Sequence, residues 1–330
     1  MRGRENPRPT GIAGGEFTLL AKDRRGTHSN PRPVRVYTGR RRPALGSRAG
    51  APQVLTENPP LHGNAMASLV RSSLDQGVGR ITLARPEKRN ALSRELISEL
   101  TQAVDQLAAD PALRVLVLAA EGSVFCAGMD LGEMQQRAAD PDGAAQWQKD
   151  SEVYAELLSK LFHLPVPTIA AMQGPALAGG VGMILACDLV VAAEGSFVML
   201  PEPMRGITAA MVTPFLVFRV GGGPATQMLL CGRRISAQRC HELGLVYQLA
   251  DGDDLDTTVQ RVTTSVLSGS PAALAITKRH LHSCAAAQLD ALLQASIGVS
   301  AEARQSDDAR EGLDAFLEKR DPAWCPADVE

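Results

Sequence analysis

Apolar and polar positions along the chain switch between two periods, and the switches mark the elements. Between Ser68 and Leu83 two short β-patterned runs flank Asp75-Gln76-Gly77, which predicts a hairpin. Ser93 precedes a stretch in which Leu96, Ile97, Leu100, Val104 and Leu107 recur at helical spacing, with Asp110-Pro111 as its stop. Val115-Leu116-Val117-Leu118 is an unbroken apolar run, the pattern of a strand buried on both faces. The loop 121–130 leads into another helical pattern. After Asp140-Pro141-Asp142-Gly143 a long amphipathic helix runs to about Leu164, turning Val153, Leu157, Leu158 and Leu161 inward. Residues 169–172, 189–193 and 197–200 read as strands. Beyond Gly221 the pattern is nearly all helical. Pro224 sits in a first turn, Ser236 caps a helix that Gly244 closes, Ser270-Pro271 starts another, and helical stretches at 287–303 and 307–320 follow. Alternating strands and helices predict a layered α/β domain, with no internal repeat strong enough for a solenoid.

Residues 1–65 break this pattern. They hold eight of the 21 prolines and 12 Lys and Arg against four acids, a net +8 that leaves −10 for the rest of the chain. The composition favours a disordered extension, or upstream sequence ahead of a start at Met66. An Arg-rich transit peptide and a basic arm for an anionic partner are the other readings. We expect the folded part to divide into a core at 66–265 and a helical region at 266–330. An acidic body argues against a nucleic-acid-binding domain. The six cysteines show no CxxC pair and no metal spacing, so a reduced cytoplasmic protein without a metal centre is expected. No apolar run is long and uninterrupted enough to span a membrane; the best, 176–193, contains Asp188 and three glycines.

Candidate chemistry begins at Gln173–Asp188, where an apolar run enters a turn with glycines at 174, 179, 180 and 182 and then a helix. Absent Cβ atoms admit a ligand to the backbone, and a helix start offers unpaired N–H groups; close helix–strand packing explains such glycines equally well. The turn Ala127-Gly128-Met129-Asp130 shares the design. If the two turns meet in space, the N–H groups of Met129 and Gly179 can point at one oxygen. Each donor of such an oxyanion hole contributes about 2.7–4 kcal/mol in a transition state, and the arrangement suits a thioester carbonyl that becomes an enolate.

The stretches RPEKRNAL (85–92), FCAGMDL (125–131), GPALAGGVGMILACD (174–188), LPEPMRGI (200–207) and SDDAREGLDAFLEKRDPAW (306–324) together resemble the enoyl-CoA hydratase/isomerase family, the crotonase superfamily. The resemblance spans roughly 68–325. It implies a crotonase-type spiral of ββα units and a C-terminal helical region that drives assembly into homotrimers or dimers of trimers. It implies that Met129 and Gly179 supply the oxyanion N–H groups, and that Lys88, Arg89, Ala91, Ala127, Gly128, Asp130, Leu131 and Gly180 lie along the coenzyme A path. Coenzyme A then enters as part of the substrate, with no separate cofactor. Asp130 is also placed to cap the next helix, and that role is preferred to catalysis. Asp188 matches a structural position, and Phe316 and Lys319 match positions that can contact coenzyme A. Met134, the 144–164 helix and the segment from Met204 to Pro214 would build the acyl pocket.

The family's hydratases use two glutamates. The later one matches Glu202, held between Pro201 and Pro203 in extended geometry. The earlier one aligns with Gly182, which is expected to enlarge the pocket or admit an acyl branch. One carboxylate that shuttles a proton between carbons favours double-bond isomerisation. Hydration, decarboxylation, thioester hydrolysis and acyl-CoA binding without chemistry are the alternatives. Cys126 has no evident base, which argues against covalent catalysis.

Overall fold

A computed structural model describes residues 68–138, 140–251 and 254–326. The reading of 1–65 as an extension, with a start at Met66, lies outside them. The hairpin pairs β1 (Val70–Asp75) with β2 (Val78–Leu83), and Gln76 and Gly77 both take positive φ, 47° and 85°. That geometry matches the strand twist in a two-residue turn. Helix α1 (Arg94–Ala108) starts where the Ser93 hydroxyl accepts from the Leu96 N–H at 3.1 Å. Next come β3 (Val115–Ala120), α2 (Leu131–Ala138), α3 (Gly143–His163), β4 (Thr168–Met172), β5 (Ala176–Leu177) and α4 (Gly179–Ala186). They are followed by β6 (Leu189–Ala193), β7 (Phe197–Met199), α5 (Thr213–Val220), α6 (Gly222–Cys231), β8 (Ile235–Ser236), α7 (Ala237–Glu242) and β9 (Gln248–Ala250). Helices α8 (Leu255–Leu267), α9 (Pro271–Ala285), α10 (Leu289–Ala303) and α11 (Asp307–Glu318) complete the described chain. None of these helices is long and apolar enough to cross a membrane.

The main sheet has the order β1-β2-β3-β4-β6-β9, parallel after the first pair, and a second sheet has the order β5-β7-β8. The chain crosses repeatedly from one to the other. After β3, Cys126 bridges Ala176 of β5; β4 is followed by β5, and β6 by β7. Each crossing ends near a helix, which is the expected spiral. The unbroken apolar pattern of β3 has its cause in two cores. Leu116 and Leu118 face the cluster under α1 and α3, while Val115, Val117 and Ala119 pack with Ile169, Val191 and α8 residues Val259 and Val262. Two strands fall in the region whose pattern is helical, β8 and β9. Two or three residues are too few to show alternation, and partners in β7 and β6 define them instead.

Asp188 ties the spiral together. Its Oδ2 accepts from the Thr168 N–H at 2.7 Å, the Thr168 hydroxyl at 3.0 Å and the Lys278 ammonium at 2.7 Å. Lys278 is buried, so removing its partner strands a charge. Asp188→Ala is expected to lower unfolding free energy by about 3–5 kcal/mol, measured by urea titration. A loss below about 1 kcal/mol would show that the network contributes little.

Candidate active site

The two glycine turns meet. Leu92 pairs with the first turn by donating to the Gly128 carbonyl at 2.8 Å and accepting from the Asp130 N–H at 3.1 Å. These bonds flank Met129, so its own N–H points away from Leu92. Gly128 has φ +86°, and a Cβ there would sit 2.6 Å from the Ala178 Cβ and 3.4 Å from the Gly179 nitrogen. Only glycine permits that approach. Ala178 holds φ 50° and ψ −123°, a strained conformation for a residue with a Cβ, fixed by a 2.9 Å bond from its N–H to the Met199 carbonyl. Gly179 then opens α4. Among the described residues, neither the Met129 nor the Gly179 N–H donates to a protein acceptor. Both residues line a cavity of about 430 Å³.

Three carboxylates line the same cavity: Glu87, Asp130 and Glu202. Asp130 is committed to structure. Its Oδ1 accepts from the Gly132 N–H at 2.9 Å, which caps α2, and its Oδ2 meets Arg85 at 2.7 Å. Burial works to raise its pKa, but these donors outweigh it and hold the group below its ordinary value. Glu87 lies exposed on the short turn Pro86–Lys88. Glu202 differs from both. It begins a single 3-10 turn, Glu202–Arg205, is 6% exposed, and has no partner for Oε2. Burial pushes its pKa up to about 7 against the opposing pull of its backbone N–H and the charges of Arg304 and Arg205. A carboxyl that titrates there can both take and return a proton near neutral pH.

Gly182 does not enlarge this pocket, contrary to expectation. It is buried and does not line the cavity, because Tyr154 of α3 occupies the space that its missing side chain leaves. A Cβ at 182 would collide with the Tyr154 hydroxyl and lie 3.3 Å from Val212. That hydroxyl donates to the Gly179 carbonyl and so pins the turn. Burial, followed by the nearby Cys126 and Glu202, raises the Tyr154 pKa well above its usual value, and the group keeps its proton.

Lys88, Arg89, Ala91, Ala127 and Leu131 line the cavity as expected. Gly128 and Gly180 do not; they stand behind it, Gly128 against Ala178 and Gly180 with its Cβ position 2.6 Å from the Cys126 carbonyl. Phe316 reaches the cavity, whereas Lys319 does not and adopts φ 56° at the end of α11. Met204 is 48% exposed beside Gly232, and Pro214 is buried in α5, so the wall between them is built by Ile207 to Val212. Burial raises the Cys126 thiol to about 12, leaving it inert. Sequence reasoning missed Asn90, which shapes the 85–92 loop. Fully buried, it accepts from the Arg85 N–H at 2.9 Å and donates to the carbonyls of Glu121 and Val124 at 2.8 and 2.9 Å. It also missed Arg304; Tyr154 and Arg205 lie in segments expected to build the acyl pocket, though neither residue was singled out, and all three line the cavity.

The enoyl-CoA hydratase/isomerase family model matches residues 73–326. The chain belongs to that family. It is 36% identical over 247 residues to a putative enoyl-CoA hydratase of Thermus thermophilus, covering 75% of this chain and 97% of the relative. It is 31% identical over 262 residues to 1,2-epoxyphenylacetyl-CoA isomerase of Escherichia coli, covering 78% and 99%. Among solved structures, an enoyl-CoA hydratase/isomerase from Xanthobacter autotrophicus superposes with a TM-score of 0.71 at 32% identity, covering 79% of this chain and all of that one. The spiral described above is thus the crotonase fold.

Two outcomes test this site. Gly182→Ala should cost about 1–3 kcal/mol by overpacking against Tyr154, and clearly less in a Tyr154→Phe background. Additive costs in a double-mutant cycle by urea unfolding would refute the contact. For Glu202 the linkage sign follows from a folded pKa of about 7 against the ordinary 4.5. Between those values the unfolded carboxyl has lost its proton while the folded one retains it, so its contribution to stability falls as pH rises, and the loss is complete above about 7. Glu202→Gln should therefore gain on wild type across that window, by up to about 3 kcal/mol, in thermal melts from pH 4 to 8.

Proposed function

We propose that the cavity binds an enoyl-CoA thioester and moves its double bond, with Met129 and Gly179 holding the thioester oxygen and Glu202 carrying the proton. The observation that carries this reading is Glu202 itself, the lining carboxylate that is buried, unpartnered at one oxygen and raised to about 7, in the cavity that also holds the two unpaired N–H groups. With a 3-enoyl thioester, the Glu202 carboxylate removes a proton from C2. The electrons of that bond form a C2–C3 double bond, those of the C3–C4 double bond bind the returned proton at C4, and charge resides transiently on the thioester oxygen. The proton that leaves is the proton that returns, so the step is redox-neutral and needs no cofactor beyond the coenzyme A of the substrate. Lys88 and Arg89, at the cavity edge, are suited to its phosphates, and the backbone near Ala91 and Ala127 to its pantetheine and adenine path. Hydration of a 2-enoyl thioester is the second reading, favoured by the names of relatives such as that of Thermus thermophilus. Tyr154 bears on it, because the hydroxyl that stands near position 182 is not a carboxylate and spends its proton on Gly179.

The assembly and location belong to the same proposal. Ile276, Leu281, Leu292 and Val299 are exposed on α9 and α10, which supports self-association of these helices into a trimer or a dimer of trimers. Among the cysteines, Cys231, Cys284 and Cys325 are exposed and free, which suits a reducing cytoplasm.

Glu202→Gln should lower turnover of 3-enoyl-CoA by about 10²–10⁴-fold while acyl-CoA binding persists. In the wild type, kcat/KM should rise with pH through about 7 as the carboxyl ionises. Wild-type turnover in Glu202→Gln would sink the assignment, and a product heavier by one water would point to hydration.

A further inference from the structure

Two guanidinium groups on the cavity wall, Arg304 and Arg205, form no ion pair among the described residues. Arg304, at the end of α10, is half-buried. Its Nη1 donates to the Ser151 hydroxyl at 3.1 Å, the Ser300 carbonyl at 3.3 Å and the Ser300 hydroxyl, all neutral. Its Nε and Nη2 have no protein acceptor among the described residues. Arg205 lies over the Phe316 ring, 3.6 Å from its centroid, and its Nη1 is buried with no hydrogen-bond partner. Among the described residues neither arginine enters a salt bridge. Of the nearby acids, Asp150 pairs with Arg94 and Arg137, while Glu202 acts on both arginines through its charge when ionised but makes no ion pair with either. Burying an uncompensated cation is costly, and the cost falls when a bound anion supplies the missing charge.

The position of these groups limits what that anion is. Both arginines also line an adjoining cavity of about 210 Å³, which shares Leu131, Met134 and Ile207 with the main one and includes none of Lys88, Arg89 or Ala91. Its own carboxylate, Asp140, is committed to the Asp142 N–H at 2.9 Å and to Gln146 at 2.8 Å. The remainder of that wall is mixed, with Trp147, Ala144, Ala309 and Leu313 beside Arg137, Arg310, Gln305 and Ser306. A chamber that joins the main cavity at Arg205 and Arg304, carries cationic and apolar side chains together and lies away from the coenzyme A loop fits a short carbon chain that ends in an anion.

We infer that the acyl group of the substrate carries a terminal carboxylate, received by Arg304 and Arg205, so that the substrate is the monothioester of a dicarboxylic acid. The inference rests on the acyl-CoA reading of the cavity. Arg304 and Arg205 both act on Glu202 through their charge, so the carboxylate they receive stands only a few carbons from the reacting centre. Planar guanidinium forks suit a carboxylate, and their fixed geometry holds the chain extended across the face of Glu202.

The test compares chain-matched thioesters on the full-length protein. Calorimetry with saturated adipyl-CoA, hexanoyl-CoA and free coenzyme A reads affinity without chemistry. Turnover of 3-hexenedioyl-CoA and 3-hexenoyl-CoA reads specificity. Adipyl-CoA should bind about tenfold or more tightly than hexanoyl-CoA, and kcat/KM should favour the carboxylated substrate similarly. Arg304→Gln and, as a second variant at a less buried site, Arg205→Gln should each bring the adipyl-to-hexanoyl ratio toward one. A wild-type ratio near one overturns the inference and leaves the isomerase reading standing. Variants that weaken all three ligands by a common factor assign the arginines to the coenzyme A phosphates and overturn it too. Wild-type protein that binds none of the three removes the acyl-CoA reading itself, and the inference with it.

Discussion

The contact between Gly128 and Ala178 is the constraint on which the site depends. It brings two backbone turns, 49 or more residues apart in several pairs of positions along the chain, within van der Waals reach, and no side chain larger than hydrogen fits at 128. The rest of the fold supplies the pressure. The first turn is held by Leu92 through two backbone bonds, and the second by Met199 through the Ala178 N–H. Leu92 stands just before α1 and Met199 ends β7, so the first helix and the second sheet act on one junction. The strain at Ala178 persists because these partners over-determine it. Two N–H groups remain unpaired as a result, which is costly in the resting protein and useful to a ligand oxygen that gains charge.

The electrostatics of the cavity follow from the same crowding. Desolvation is the largest influence on Glu202 and raises it; Arg304 and Arg205 lower it, and the balance falls near neutrality. Tyr154 contributes by volume as well as by its hydrogen bond. Its ring and hydroxyl fill the space beside Gly182 and anchor Gly179. Glycine at 182 is thus explained by packing. It makes room for a tyrosine, and it leaves one carboxylate in place to move protons.

Much of this was legible in the sequence. Periodic helices and apolar strands declared themselves, as did Ser93, the Gln76-Gly77 turn and the two glycine turns, because those signals are local. Glu202 was legible from the family motif around it, although its prolines frame a 3-10 turn and not the extended segment expected. What could not be read depends on contacts between distant segments. Tyr154 shows only a half-buried helix position until α3 is laid against α4, and nothing in Gly182 says whether its space is empty or taken. Arg304 reads as an ordinary charged residue at the end of a helix; its hydrogen bond to Ser151, 153 residues earlier, turns it to the cavity wall. Strand β9 has three residues and is defined by its partner β6.

A division of labour follows from where these residues lie. In the proposed reaction, the groups that hold and move charge at the thioester come from the spiral, in turns whose geometry the backbone dictates and whose motifs carry the family resemblance. The groups that face the far end of the acyl chain come from α10, α11 and the turn after Glu202, where side chains can change without disturbing the junction of the two turns. On the proposed reading, enolate chemistry and substrate choice are thus assigned to separate walls of one cavity. On the second wall this chain places two guanidinium groups that form no ion pair, and the charge they require is the property of the substrate that the proton-transfer machinery alone would never reveal.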